Sequence, residues 1–196
     1  AHEVRIQQRL PERLGRVLEG VPRDERIGLE IGATLGSAPR RDEWVVACQR
    51  AGLPFPEEHI EELLRHRLLE ETGTGWRFPH SMVRESLERG ARRTARWRRH
   101  NLACADAMRA LHDLEEAETP ESARALQRLA GFLLEAGESE RALDPLLEAI
   151  EFNGRLGRLD AAGYLLERTE TAIKQAELPD DDERIDRYHL RKGRLA

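Results

Sequence analysis

The sequence predicts a mainly α-helical protein carrying one short β-hairpin. Charged residues make up 35% of its 196 positions and aromatics only 5%, a composition of stacked amphipathic helices rather than of a sandwich or barrel. Apolar residues also recur at the i, i+3, i+4, i+7 spacing of a helix through most of the chain. The departure is the stretch around Thr72-Gly73-Thr74-Gly75, where turn residues separate two short flanks.

Residues 1–22 have weak helical periodicity with Pro11 and Gly15 inside, and are expected to be a connecting segment whose partner lies upstream. A first core helix starts at Arg23 with Ile27, Ile31 and Leu35 on one stripe, until Gly36-Ser37-Ala38-Pro39 breaks it. Asp42 is the expected N-cap of a second helix, in which Trp44, Ala47, Cys48 and Ala51 share a face before Gly52. The third begins near Pro56 and is expected to bury Ile60, Leu63, Leu64 and Leu68. Leu69-Glu70-Glu71 and Trp76-Arg77-Phe78 then form the hairpin flanks. Three helices followed by a small hairpin is the element order of a winged helix, which is expected over residues 23–100.

Pro79-His80-Ser81 opens a further helix through Val83 and Leu87 to Gly90, and a longer one follows with Trp97, Cys104, Met108 and Leu111 on one side. Three more amphipathic segments follow, and their short connectors make consecutive helices antiparallel neighbours. Two connectors, Ala136-Gly137-Glu138-Ser139 and Leu156-Gly157-Arg158-Leu159, place Gly in the turn as tetratricopeptide hairpins do. They lie 20 residues apart, against a tetratricopeptide period of roughly 34, which predicts a degenerate or sheared array over residues 101–196. The chain begins without Met and its last segment, Glu183 to Ala196, reads as a helix awaiting its hairpin partner, as expected of an excised piece.

Lysine occurs only at Lys174 and Lys192, and a net charge of -5 gives no global attraction to nucleic acid or anionic lipid. Cys48 and Cys104 fall on apolar helix faces without ligand spacing, so buried thiols in a reducing compartment are expected. No apolar run approaches the roughly 20 residues needed to span a bilayer, and Ala1 to Leu10 lack the order of a signal peptide. The expected location is cytoplasmic, with no membrane partner.

Catalysis lacks its usual signatures. Neither lysine stands in a Gly-x-x-x-x-Gly-Lys context that would cradle phosphates. There is no Gly-x-Ser-x-Gly elbow, no His-Glu-x-x-His helix and no Cys matched to a base. Glu57-Glu58 with Glu61-Glu62, and Asp180-Asp181-Asp182-Glu183, read as solvated faces rather than metal cages. The expectation is therefore no enzyme, no metal site and no catalytic residue in this chain.

A winged helix invites DNA binding through its third helix, yet that helix offers mainly glutamates to phosphates that repel them. The rival basic feature runs from Arg84 through Arg89, Arg92, Arg93, Arg96, Arg98 and Arg99 to His100. Arg92, Arg93, Arg96 and Arg99 form its candidate patch for a phosphate backbone. The competing account has these arginines solvating a junction helix and pairing with Glu85, Glu88 and the Glu115-Glu116 region. Nucleic acid is the less favoured partner.

Leu63-Leu64-Arg65-His66-Arg67-Leu68-Leu69-Glu70, followed by Trp76-Arg77-Phe78-Pro79-His80-Ser81-Met82-Val83-Arg84-Glu85-Ser86-Leu87, resembles the winged-helix end of STAND-class, AAA-related signalling ATPases. Arg92, Arg96 and Arg99-His100-Asn101-Leu102-Ala103 are similar to the basic helix that precedes the tetratricopeptide sensor region in bacterial members. The likeness covers residues 23 to about 175. It implies an upstream nucleotide-binding domain in the same chain, holding ADP or ATP with magnesium, that the winged helix locks shut. It also implies a repeat region that receives an unidentified protein or small ligand, and no cofactor within this segment itself.

His80 matches the histidine of the family's Met-His-Asp-type motif, which contacts the β-phosphate of ADP; here the triplet is Pro79-His80-Ser81, so both neighbours differ. Arg84, one turn on, is the candidate support. A histidine at a helix start adds a side-chain donor to exposed backbone N–H groups, a combination that attracts anions. The bland alternative is a local helix cap. The expected function is a non-catalytic regulatory segment of such an NTPase. The alternatives are an independent DNA-binding winged-helix regulator, and a plain helical scaffold in which His80 has no special role.

Overall fold

Apolar periodicity becomes helix in nearly every segment of the computed structural model, which describes residues 12–112, 114 and 119–195. Among these residues the architecture is mainly α with one two-stranded antiparallel hairpin. The chain divides into two units, Ala1–Ala107 and Met108–Ala196.

In unit 1, residues 12–19 form a helix, α1, and with Val21 they bury Leu14, Val17 and Leu18. Those positions follow the i, i+3, i+4, i+7 template, so this part of the supposed connector has a buried apolar face of its own. Gly15 does not interrupt it, because it lies on the exposed side; Pro11 is outside the described residues. Helices α2 (Arg23–Thr34), α3 (Arg41–Ala51) and α4 (Glu57–Arg65) follow, then β1 (Glu70–Thr72) and β2 (Gly75–Arg77), then α5 (Ser81–Arg93) and α6 (Trp97–Leu111).

Trp44 of α3 centres the packing of this unit. It is fully buried, donates its indole N–H to Gly28 O of α2 at 2.8 Å, and meets Phe55 and Trp76 edge to face at 5.8 and 5.4 Å. Aromatic pairs in that geometry add about 0.5–1.5 kcal/mol beyond area burial. Trp76 reaches this cluster because β2 is pinned on both edges. Glu71 pairs with Trp76 across the hairpin, and on the far side Trp76 N–H donates to Pro39 O at 3.0 Å and Phe78 N–H to Ser37 O at 2.9 Å. A side chain at position 75 would place its Cβ 2.4 Å from Pro39 O, so Gly75 permits that close approach.

Several local expectations need correction. The N-cap of α3 is Arg40, extended at φ -77° and ψ 147° and bridged to Gly75. Asp42 lies inside the first turn, where it accepts from Glu43 N–H and from the Arg40 guanidinium. Ile27 and Leu64 are half-buried, and Leu111 is exposed. Asp182 is not part of a solvated run: it caps the last helix by accepting from Arg184 N–H at 2.9 Å.

Unit 2 contains α7 (Pro120–Glu135), α8 (Ser139–Arg155), α9 (Leu159–Ala176) and α10 (Glu183–Leu195). Thr119 and Ser122 cap the start of α7 reciprocally. α8 packs against both α7 and α9, and buries Leu143, Leu146, Leu147 and Ile150. The turns at Gly137 and Gly157 are therefore consecutive. Their 20-residue separation is one helix and one turn, so no shear is needed to explain it.

Both turns end their helices by the same backbone device. Glu138 N–H donates to Leu133 O and Gly137 N–H to Leu134 O; Arg158 N–H and Gly157 N–H repeat this to Asn153 O and Gly154 O. The closing residue must be left-handed, and Gly137 and Gly157 have φ of 76° and 67°. The same pair of bonds closes α5 around Ala95, a non-glycine residue at φ 55°. Left-handed backbone disfavours a Cβ by about 1 kcal/mol. Ala95→Gly is accordingly expected to raise unfolding free energy by about 0.5–1 kcal/mol and Gly157→Ala to lower it by about 1 kcal/mol, measured by denaturant melts; equal effects of one sign would contradict the shared geometry.

Candidate functional site

β2 leads through Phe78 and Pro79 into His80, which is the extended N-cap of α5 at φ -124° and ψ 118°. Its carbonyl accepts from Val83 N–H at 3.1 Å, but its half-buried side chain makes no capping hydrogen bond. The first turn of α5 contains no acidic residue. The helix start thus combines uncapped backbone donors, the positive end of the dipole and an imidazole, a donor set suited to an anion. Arg84 is engaged elsewhere, ion-paired with Glu88 one turn along α5. Burial pushes the Glu88 carboxyl above its ordinary value, against the opposing effect of Arg84.

The four arginines of the expected basic patch go to different places. Arg92 stacks on the Trp97 ring at 3.7 Å. Arg93 is exposed on α5. Arg96 turns inward to Glu30, donating from Nε at 3.0 Å and from Nη2 at 2.7 Å. Arg99 donates to Ala51 O at 2.7 Å, placing a cation on the C-terminal end of α3. Arg96 is thus held on a buried carboxylate, while Arg99 stays exposed with one bond to α3. Of the acids expected to pair with the arginines, Glu88 takes Arg84; Glu115 and Glu116 lie outside the described residues.

Glu30 is the group that the sequence pattern did not single out. It lies in the buried half of α2 between Leu29 and Ile31 and is only 2% exposed. Besides both Arg96 bonds it meets His100 Nε2 at 3.0 Å. With the carboxylate ionised, Nε2 carries the proton and donates; the buried Nδ1 finds no partner among the described residues. Burial alone would push the Glu30 carboxyl up, but the hydrogen bonds from His100 and Arg96 reverse this and hold it below its ordinary value. A carboxylate flanked by apolar residues on a core-facing helix turn was the available signal, since such a group must find charged partners.

Removing one side of a buried pair leaves the other uncompensated, at about 3–5 kcal/mol. Glu30→Gln is expected to destabilise unit 1 by that order in thermal melts at neutral pH. The folded pKa lies below the ordinary 4.5, so the unfolded chain takes up the proton first. The network's contribution is complete above about pH 5 and is lost as the pH falls through the lowered folded value. Wild type should lose stability in that acid window more steeply than the Gln variant; parallel pH curves would remove Glu30 from this role.

Cys48 and Cys104 are buried and form no disulfide, and burial pushes the Cys48 thiol up to about 12, far from a reactive thiolate. Among the described residues no group of three or more His, Cys, Asp or Glu side chains is placed to hold a metal ion. Nor is any described helix long and apolar enough to cross a membrane.

Unit 2 offers a concave surface instead. A groove of about 470 Å³ is lined by Leu134 and Glu135 at the end of α7 and by Glu167, Arg168, Thr171 and Gln175 of α9. Ser139 Oγ donates to Gln175 Oε1 at 2.9 Å at its edge. Its lining mixes donors, acceptors and apolar walls. No family model, curated protein or solved structure matches the chain.

Proposed function

We propose that this chain is a non-catalytic regulatory segment of a STAND-class signalling NTPase, in which a winged helix holds a nucleotide-binding domain closed and a tetratricopeptide-like array receives a partner. The observation that carries this function is His80: an imidazole at an uncapped helix start with no acid in the first turn. One histidine and one helix end fit a single phosphate group of ADP. They do not supply a nucleotide pocket, which accords with the phosphates and magnesium being held mainly by another domain. Bound nucleotide would supply the anion; His80 would supply a donor that links it to the α5 start.

The order α2, α3, α4 and hairpin, with residues 37–41 running along β2, supports the winged-helix assignment. For the array, the three-residue turns on either side of α8 support helical hairpins. The starts of α7 and α9 at Pro120 and Leu159 give a two-helix step of about 40 residues, longer than the roughly 34 of tetratricopeptides. The hairpins are therefore a lengthened relative of that repeat in this proposal.

The test replaces His80 by Ala in a chain that carries the nucleotide-binding domain, with the dissociation rate of labelled ADP as the readout. Release faster by roughly tenfold, about 1.4 kcal/mol, is expected; unchanged retention and basal activity reject the lock and favour a plain scaffold.

DNA binding is the second reading, favoured by Arg89 and Arg93, both exposed one turn apart on α5. Against it stand Arg96, which turns to Glu30, and the exposed Glu57, Glu58 and Glu61 on α4. Labelled duplex DNA titrated at low and moderate salt is expected to show no specific binding. Binding that weakens steeply with salt and disappears in an Arg89→Ala, Arg92→Ala, Arg93→Ala variant would establish the DNA regulator instead. Arg96 is left intact in that variant because it holds Glu30.

A further inference from the structure

α8 is apolar around most of its circumference, but Glu140, Asp144, Glu148 and Glu151 rise along one face at spacings of four, four and three. Such spacing stacks side chains on successive turns. α10 lies over that stripe, and each carboxylate meets an arginine. Arg184 Nη2 is 3.1 Å from Glu140 Oε1. Arg187 reaches Asp144 and Glu148, both at 2.7 Å. Arg191 pairs with Glu151 and stands 4.0 Å from Glu148. The pairs ascend together, so α10 runs parallel to α8. Alongside, Glu170 of α9 accepts from Tyr188 OH at 3.0 Å and from Lys192 Nζ at 3.3 Å.

Apolar contact in this docking centres on Tyr188, with Ile185 half-buried. Tyr188 is the buried hydrophobic side chain of α10 among the described residues, while Leu190 is 54% exposed. Glu140 and Asp144 are themselves mostly exposed, with 63% and 59% of their side-chain surface open, whereas Arg191 and Glu148 are 11% and 27% open; the exposed pairs at the start of the stripe are individually weak and screened by salt. Nε of Arg191 is buried without a hydrogen bond among the described residues, while its Nη atoms reach Arg187 O and Glu151. The link also differs from the other turns of unit 2: residues 177–182 contain no glycine, and Glu177 takes the left-handed conformation at φ 49°. A 13-residue helix scarcely persists alone in water, so α10 depends on this face to stay helical.

We propose that the carboxylate stripe of α8, with Glu170 beside it, is a receiving surface for an arginine-bearing amphipathic helix, and that α10 is its reversible occupant. The partner that displaces α10 presents arginines at the spacing of Arg184, Arg187 and Arg191, with an aromatic residue at the position of Tyr188. The outside partner rests on the reading of unit 2 as a partner-binding array; the docking of α10 by charge does not, and the two are measured separately.

Hydrogen exchange on the full chain tests the docking. Raising salt from about 0.05 to about 0.5 M should speed exchange of α10 amides by roughly tenfold while α8 and α9 keep their protection. Arg187→Glu with Arg191→Glu should do the same at low salt, and adding Glu148→Arg with Glu151→Arg should restore protection. A labelled peptide of residues 183–195 should then bind the Arg187→Glu, Arg191→Glu chain, whose receiving face is intact, and not the chain with all four changes. α10 protection indifferent to salt, or α8, α9 and α10 exchanging as one, overturns docking by charge. Release of α10 without peptide capture overturns the receiving surface, even if the array binds some other partner elsewhere.

Discussion

Glu30 sits in the buried half of α2, where its ionised carboxylate persists because Arg96 and His100 together aim three donors at it. Both partners come from the elbow between α5 and α6, and that elbow is consequently fixed to α2. The adjoining residues reinforce the same joint: Ala95 turns left-handed, Arg92 stacks on Trp97, and Arg99 closes the end of α3. Two members of the basic run, Arg96 and His100, satisfy that one buried charge. Burial makes each donor indispensable, since the alternative is an ion without solvent.

Unit 2 uses the same residue type to the opposite end. Its helices α7, α8 and α9 are joined by leucine packing, while the arginines of α10 meet half-open carboxylates. Charge inside unit 1 is buried at Glu30, whereas the carboxylates on α8 range from 27% to 63% open to solvent. The two arrangements differ in the dielectric around the pair rather than in its chemistry. On the proposed regulatory reading, α10 rather than the Glu30 joint would be the element that moves.

Periodicity made the helices legible because each buries a stripe, and the hairpin because Thr72-Gly73-Thr74-Gly75 interrupts that period. What the pattern concealed was long-range. Arg96 and His100 find Glu30 at separations of 66 and 70 residues, and no local spacing announces such a partner. Asp42 was displaced as a cap because Arg40 is held extended by β2, a tertiary constraint that overrides a good capping residue. Residues 12–19 were hidden by Gly15, although Leu14, Val17, Leu18 and Val21 carry the helical template in full. At the candidate site the sequence located His80 at a helix start; the absence of a side-chain cap there is a matter of rotamer, and composition is silent on rotamers.

The division of the chain at Ala107 and Met108 sorts its chromophores. Trp44, Trp76 and Trp97 all belong to unit 1, while Tyr164 and Tyr188 both belong to unit 2. Indole emission therefore reports on one unit, and the ring resonances of the two tyrosines on the other, with Tyr188 seated on the ionic face of α9 and α10. The protein carries two intrinsic spectroscopic channels, one for each half, without any label having to be introduced.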